Sequence, residues 1–148
     1  LRGDPPPGTG EFRPTEGGFT YSAELVAYLR SLDAFSIGTA GFPEGHIHQQ
    51  GGRTVDWGYL AEKVRAGADF VVTQLFFDNA DYLAFRDHLR NRLGVTVPLI
   101  PGLLPVQTRS QTRRFIELCG ARLPEAFSRR LDELGDDDAA VTEFGIEY

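Results

Sequence analysis

The nine residues 69–77, DFVVTQLFF, place the tightest limit on what this chain can fold into. Apolar side chains fall on both parities of the run, so it does not suit a strand with one wet face. A strand buried on both faces belongs to a parallel sheet covered by helices. The flanks agree with that reading. Residues 55–66 have helical spacing, with Leu60, Ala61 and Val64 facing inward, and Gly67 ends the helix. Asp78 has the chemistry of an N-cap, and a helix to about Leu93 follows it, with Tyr82, Phe85 and Leu89 inward.

The same rhythm extends in both directions. Residues 21–32 set Leu25, Val26, Leu29 and Leu32 on one helical stripe, with Glu24 in the first turn. Residues 34–40 and 95–100 read as short strands, and Pro101, Gly102 and Pro105 open the loop after the second. A helix is expected from Ser110 to Leu118, where Thr108 and Gln111 have the spacing of a capping box. Two helical pieces should follow Pro124, the second starting at Asp136–Asp138. Strands alternating with helices imply an α/β fold built of consecutive parallel βα units. Three strands are too few to bury both faces of a sheet, and a complete (β/α)8 barrel needs about 250 residues. The pattern therefore reads as a stretch of an open sheet or of a barrel.

Composition sharpens this. The chain has 148 residues and no Met, so we expect an excised piece of a longer protein, a single-domain fragment over 1–148. A net charge of −6 argues against nucleic acid or an anionic membrane surface as partner. No apolar run is long enough to span a bilayer. Cys119 stands alone, which excludes an internal disulfide and suits a reducing, cytoplasmic setting. Residues 1–18 hold five Gly and four Pro, and form either a loose tail or a loop of an active site.

In such folds chemistry gathers at the C-terminal ends of the strands. That selects Asp4, the loop after Ala40, Gln74 and the loop from Pro101. Asp4 is either a turn residue before Pro5 or a partner of Arg2, which could instead hold a phosphate. His46 and His48 lie too far from a third ligand to suggest a metal, so a hydrogen-bonding role for His46 is expected. Asp56 and Lys63, two helical turns apart, form either a solvated surface pair or a helix edge along a dinucleotide. Lys63 is the only lysine among 15 basic residues. Gln74 either bonds backbone or reads the paired donor and acceptor edge of a heterocycle. Rossmann, P-loop and nucleophile-elbow motifs are missing from the sequence.

These residues sit in segments that match a family in order and spacing. Leu1–Pro5, Glu16–Phe19, Ala40–Pro43 with Gly45 and His46, Lys63–Asp69, Thr73–Phe77 and Pro101–Pro105 resemble the methylenetetrahydrofolate reductases over essentially the whole chain. The resemblance implies part of a (β/α)8 TIM barrel, with the first strands and the last strand outside the chain. It implies FAD as cofactor, and NADH or NADPH as reductant of 5,10-methylenetetrahydrofolate to 5-methyltetrahydrofolate in two half-reactions. It also implies a homo-oligomer when intact. Arg2, Gly3, Asp4, Ser22, Phe42, His46, Asp56 and Lys63 fall on flavin-contacting positions, with Lys63 on the pyrophosphate. Asp4, Gln74, Gln111 and Phe115 fall on substrate positions. Asp4 would act by electrostatics, disfavouring the reduced anionic flavin and favouring the cationic iminium of the opened folate ring. For Gln111 the folate role stands beside the capping-box reading. The family's general-acid glutamate lies outside this chain.

The sequence also departs from the family. Phe42 replaces a common Tyr and lacks its hydroxyl. His46-Ile47-His48-Gln49 replaces His-Pro-Glu-Ala. Tyr59 and Glu62 replace residues that contact FAD in some bacterial members, and those contacts are not carried over. Two other readings remain: a different barrel oxidoreductase, or a flavin- or folate-binding domain without catalysis.

Overall fold

The computed structural model describes residues 15–148, so Arg2, Gly3 and Asp4 lie outside the described residues. The elements run α1 (Ser22–Ser31), β1 (Gly38–Gly41), α2 (Arg53–Arg65), β2 (Phe70–Thr73), α3 (Asn79–Asn91) and β3 (Leu99–Ile100). Three helices then follow, α4 (Arg109–Cys119), α5 (Glu125–Leu134) and α6 (Asp138–Glu147). Among the described residues the strands form one sheet in the order β1-β2-β3, with both neighbouring pairs parallel. The expected alternation of helices with parallel strands is therefore present.

The helix ends follow from local chemistry. The Asp78 carboxylate accepts from the Ala80 N–H at 2.9 Å and caps α3. Asp137 does the same for α6 through Ala140 at 3.1 Å. Thr108 Oγ1 accepts from the Gln111 N–H at 3.1 Å, which is half of a capping box. The reciprocal bond from the Gln111 side chain is not made, so that side chain is left exposed on α4.

The strands are shorter than the apolar runs that announce them. The run 69–77 pairs only over Phe70–Thr73, and the run 95–100 only over Leu99–Ile100. Two side chains end the ladder. Gln74 Oε1 captures the Leu75 N–H at 3.0 Å, and Pro101 has no N–H to give. Burial also alternates where double burial was expected. Val71 and Thr73 face the helices, while Val72 is 41% exposed and Ile100 46% exposed on the other face. An apolar sequence on both parities with one face covered is what a segment of a barrel wall presents.

The main core lies behind the sheet. Trp57, Leu60 and Ala61 of α2 and Phe85 and Leu89 of α3 close over Val71 and Val95. A second cluster joins Phe77 and Val106 to Phe127, Leu131 and Val141 of α5 and α6. Helix α1 presents half of its expected stripe, with the partly buried Leu29 packed beside Val26. Val26 packs on Ile37 and Ala68, whereas Leu25 and Leu32 are 41% and 48% exposed. The C-terminal end of the helix is tethered where Arg30 donates to the Gly67 carbonyl at 3.0 Å and pairs with Asp69 at 2.6 Å.

The loop after β3 is held against the end of β2. The Gly102 N–H donates to Thr73 Oγ1 at 2.9 Å, and a Cβ on Gly102 would stand 2.2 Å from the Thr73 carbonyl oxygen. Gly102→Ala is therefore expected to lower stability by about 2 kcal/mol, the range of core overpacking. A urea-unfolding midpoint unchanged by the substitution would contradict this contact.

Candidate functional site

Parallel strands put three loops at one edge of the sheet: Phe42–Gly52, Gln74–Asp78 and Pro101–Thr108. An open hollow of about 380 Å³ lies on the exposed strand face at this edge. Gly38, Thr39 and Ala40 of β1 line it together with Phe42 just beyond, and Val72 and Thr73 of β2 together with Gln74 just beyond. Two of the expected site residues, Phe42 and Gln74, thus share one concavity.

The backbone fixes their relative position. The Gln74 N–H donates to the Gly41 carbonyl at 2.7 Å, continuing the parallel ladder by one bond. The side chain turns back, and its oxygen accepts from Leu75. That is the backbone-bonding reading of Gln74, and it commits only the oxygen. The carboxamide –NH2 makes no hydrogen bond among the described residues, which leaves two donors for an acceptor in the hollow. Phe42 is held from behind, because the Trp57 indole N–H donates to its carbonyl at 2.9 Å. The same carbonyl accepts from Gly45 at 3.0 Å and closes a turn. Gly45 has φ +85°, and a Cβ there would meet the Arg53 backbone at 2.9 Å, so only glycine fits.

Lys63 is not a solvated surface residue. It is 6% exposed, and its ammonium donates to the Ala40 carbonyl at 3.0 Å. The Ile37 carbonyl accepts from the Asp69 N–H at 2.8 Å and more weakly from Phe70 at 3.4 Å, and the Gly41 carbonyl accepts from Gln74, so both are taken by the β2 segment. By alternation, the Ala40 carbonyl points away from β2, where Lys63 supplies the donor and no strand partner is present among the described residues. Burial pulls the Lys63 pKa below its ordinary value, against an opposing pull from the Asp56 carboxylate. Burial also raises the Asp56 carboxyl, with Lys63 and His46 working the other way.

His46 stands beside Phe42, ring centroids 4.8 Å apart in an edge-to-face arrangement. Its Nδ1 accepts from the His48 N–H at 3.2 Å. An accepting Nδ1 requires the neutral ring with its proton on Nε2. The depression of the His46 pKa agrees, with burial as the leading cause. Phe42, His46, Asp56 and Lys63 therefore do gather around the end of β1.

Ser22 opens α1, whose other end is tethered near the start of β2 through Arg30. Ser22 thus lies toward the edge that carries the three loops. Its Oγ is buried and has no hydrogen-bond partner among the described residues. Gln111 and Phe115 are exposed one turn apart on α4, on one face. Neither lines the hollow. No group of three His, Cys, Asp or Glu side chains converges on a metal position among the described residues. No described helix is long and apolar enough to cross a membrane.

Sequence reasoning missed Trp57, the only tryptophan and the residue next to Asp56. It also missed Arg53, Asp81 and Arg122, which pair across 28 and 41 positions in the chain. No periodic pattern marks contacts of that kind.

Comparison with known proteins bears on the whole chain. The family profile described as Methylenetetrahydrofolate reductase matches residues 1–148. The Zea mays protein named Methylenetetrahydrofolate reductase (NADH) 1 is 39% identical, over 99% of this chain and 26% of its own length. Methylenetetrahydrofolate reductase 2 of Saccharomyces cerevisiae is 38% identical, over 98% of this chain and 24% of its own. The 5,10-methylenetetrahydrofolate reductase of Escherichia coli is 38% identical, over 93% of this chain and 44% of its own. The chain thus spans about a quarter of the maize and yeast relatives and under half of the bacterial one.

The His46 environment gives a pH prediction. Its folded pKa is depressed, so the unfolded chain binds the proton more readily. The contribution of His46 to stability is present above its unfolded pKa of about 6.5 and is lost as pH falls through the folded value. His46→Gln should therefore flatten the acid limb of a stability–pH curve below about pH 6.5. Parallel curves for the two proteins would contradict a half-buried neutral imidazole.

Proposed function

Because the chain belongs to the methylenetetrahydrofolate reductase family, we propose that this protein reduces 5,10-methylenetetrahydrofolate to 5-methyltetrahydrofolate with NADH or NADPH. The observation that carries the reading is the hollow at the ends of β1 and β2, where an apolar strand face meets the free donors of Gln74. A flat heterocycle with acceptor atoms on its edge has the matching chemistry. The open strand face further supports a (β/α)8 barrel, its interior being the face that Val72 and Ile100 expose. A cytoplasmic homo-oligomer is part of the same proposal.

The residues fit FAD. The partnerless Ser22 hydroxyl, the buried Lys63 ammonium and the Phe42 ring offer a donor, a cation and an apolar wall. Flavin bound there would supply the hydride chemistry that links nicotinamide to folate. Lys63 would hold the pyrophosphate, and an anion would offset the cost of burying its charge. Asp56 lowers that cost in its absence. His46, as a neutral Nε2–H donor, would bond the cofactor without adding charge. Arg2 and Gly3 would complete the cofactor contacts.

On the substrate side Gln74 would donate its –NH2 to the pterin and, in the other half-reaction, to the nicotinamide. Gln111 and Phe115, exposed on one face of α4, would bind the rest of the folate. Asp4 would stabilise the cationic iminium by its charge, and its contribution grows as the positive charge develops. Protonation of the folate nitrogen is assigned to no glutamate of this chain.

The test uses the full-length protein and Gln74→Glu, which replaces two donors by an acceptor. Folate-dependent oxidation of NADH or NADPH should be present in the wild type. In the variant the folate half-reaction should slow by roughly tenfold or more, the cost of one lost buried hydrogen bond. Unchanged folate affinity and rate would remove Gln74 from the pterin site. A wild-type protein that binds the folate and nucleotide without turnover would favour a binding domain.

A further inference from the structure

One carboxylate ties together four segments around the loop edge. Asp81, in the first turn of α3, pairs with Arg53 of α2 at 2.9 Å through one oxygen. Through the other it pairs with Arg122, on the connection between α4 and α5, at 2.6 Å. The backbone N–H of Arg122 in turn donates to Glu44 Oε2 of the β1–α2 loop at 2.8 Å. Beside this bond, Ile47 of the same loop lies on Gly120, where a Cβ would come within 2.1 Å of its side chain.

Most exposed ion pairs add little to stability. This one differs because the Asp81 side chain is only 9% exposed and is shared by two guanidinium groups. Removing that charge would break both short contacts at once and leave Arg122 only the more distant Asp78 carboxylate, at 3.7 Å. Arg53 directly follows the β1–α2 loop and Arg122 lies just past the end of α4, so the pair of contacts brackets the two sides of the proposed reaction. The β1–α2 loop carries Phe42 and His46, and α4, which ends at this junction, carries Gln111 and Phe115.

We propose that Asp81 is a positioning residue, a strap that sets α4 relative to the β1–α2 loop so that folate-side and cofactor-side groups face one another. The assignment of the two sides rests on the functional reading above, whereas the strap itself rests on the contacts alone.

The experiment compares the full-length protein with Asp81→Asn, which keeps shape and loses charge. Amide hydrogen exchange should accelerate together in residues 44–48 and 119–123. The KM for 5,10-methylenetetrahydrofolate should rise roughly tenfold, while flavin content and the rate of flavin reduction by nicotinamide stay within about twofold. Arg53→Met, which removes one exposed arm, should give the same pattern at smaller amplitude and serves if Asp81→Asn does not fold. Exchange unchanged in either segment would overturn the strap. So would a lower melting temperature with an unchanged folate KM, which is the outcome of a merely structural ion pair. A wild-type protein that does not turn over folate would defeat the functional reading alone, because the exchange measurement still decides the strap.

Discussion

Parallel pairing of β1, β2 and β3 obliges the chain to return through a helix after each strand, so every strand ends at the same edge. The other features of the site depend on that constraint. The bond from the Gln74 N–H to the Gly41 carbonyl is the last rung of the ladder, and it sets Gln74 beside Phe42. The returning helices cover only one face. Trp57 and Phe85 fill the space behind the sheet, their rings 5.7 Å apart, and leave the opposite face to whatever the strands enclose.

Burial then sets the electrostatics. The Lys63, Asp56 and His46 side chains are each pushed toward the neutral form by loss of water, and Asp56 offsets part of that cost for both of the others. A group of charges held in this balance responds to one more charge, and an anion near Lys63 would be the stabilising one. The trio sits behind the end of β1, at the edge where Ser22 also keeps a buried hydroxyl without a partner.

What could be read in the sequence was mostly local. The caps at Asp78 and Thr108 and the glycine stop at Gly67 depend on neighbours within four residues and are present, although the Gln111 side chain does not close the box at Thr108. Strand lengths were overestimated because a strand extends only as far as a partner does, and Pro101 and the Gln74 side chain end the ladder early. The spacing of Asp56 and Lys63 gave a shared helical face but could not say that the face was buried. For α1 the spacing gave an apolar stripe, of which Val26 and Leu29 pack while Leu25 and Leu32 stay outside, because spacing does not say how wide a stripe the neighbours cover. The Arg53–Asp81–Arg122 contacts were invisible because no local rule links residues so far apart. Function came from the family resemblance. The residues alone stop at a polar rim on a parallel α/β sheet.

The central claim is that this loop edge serves a flavin that is reduced by a pyridine nucleotide and reoxidised by a folate. The visible absorbance of the full-length protein under anaerobic conditions tests it most directly. The account predicts a flavin band that NADH or NADPH bleaches and that 5,10-methylenetetrahydrofolate restores. A full-length protein that binds no flavin under any condition would contradict it, as would a bleached band that the folate fails to restore.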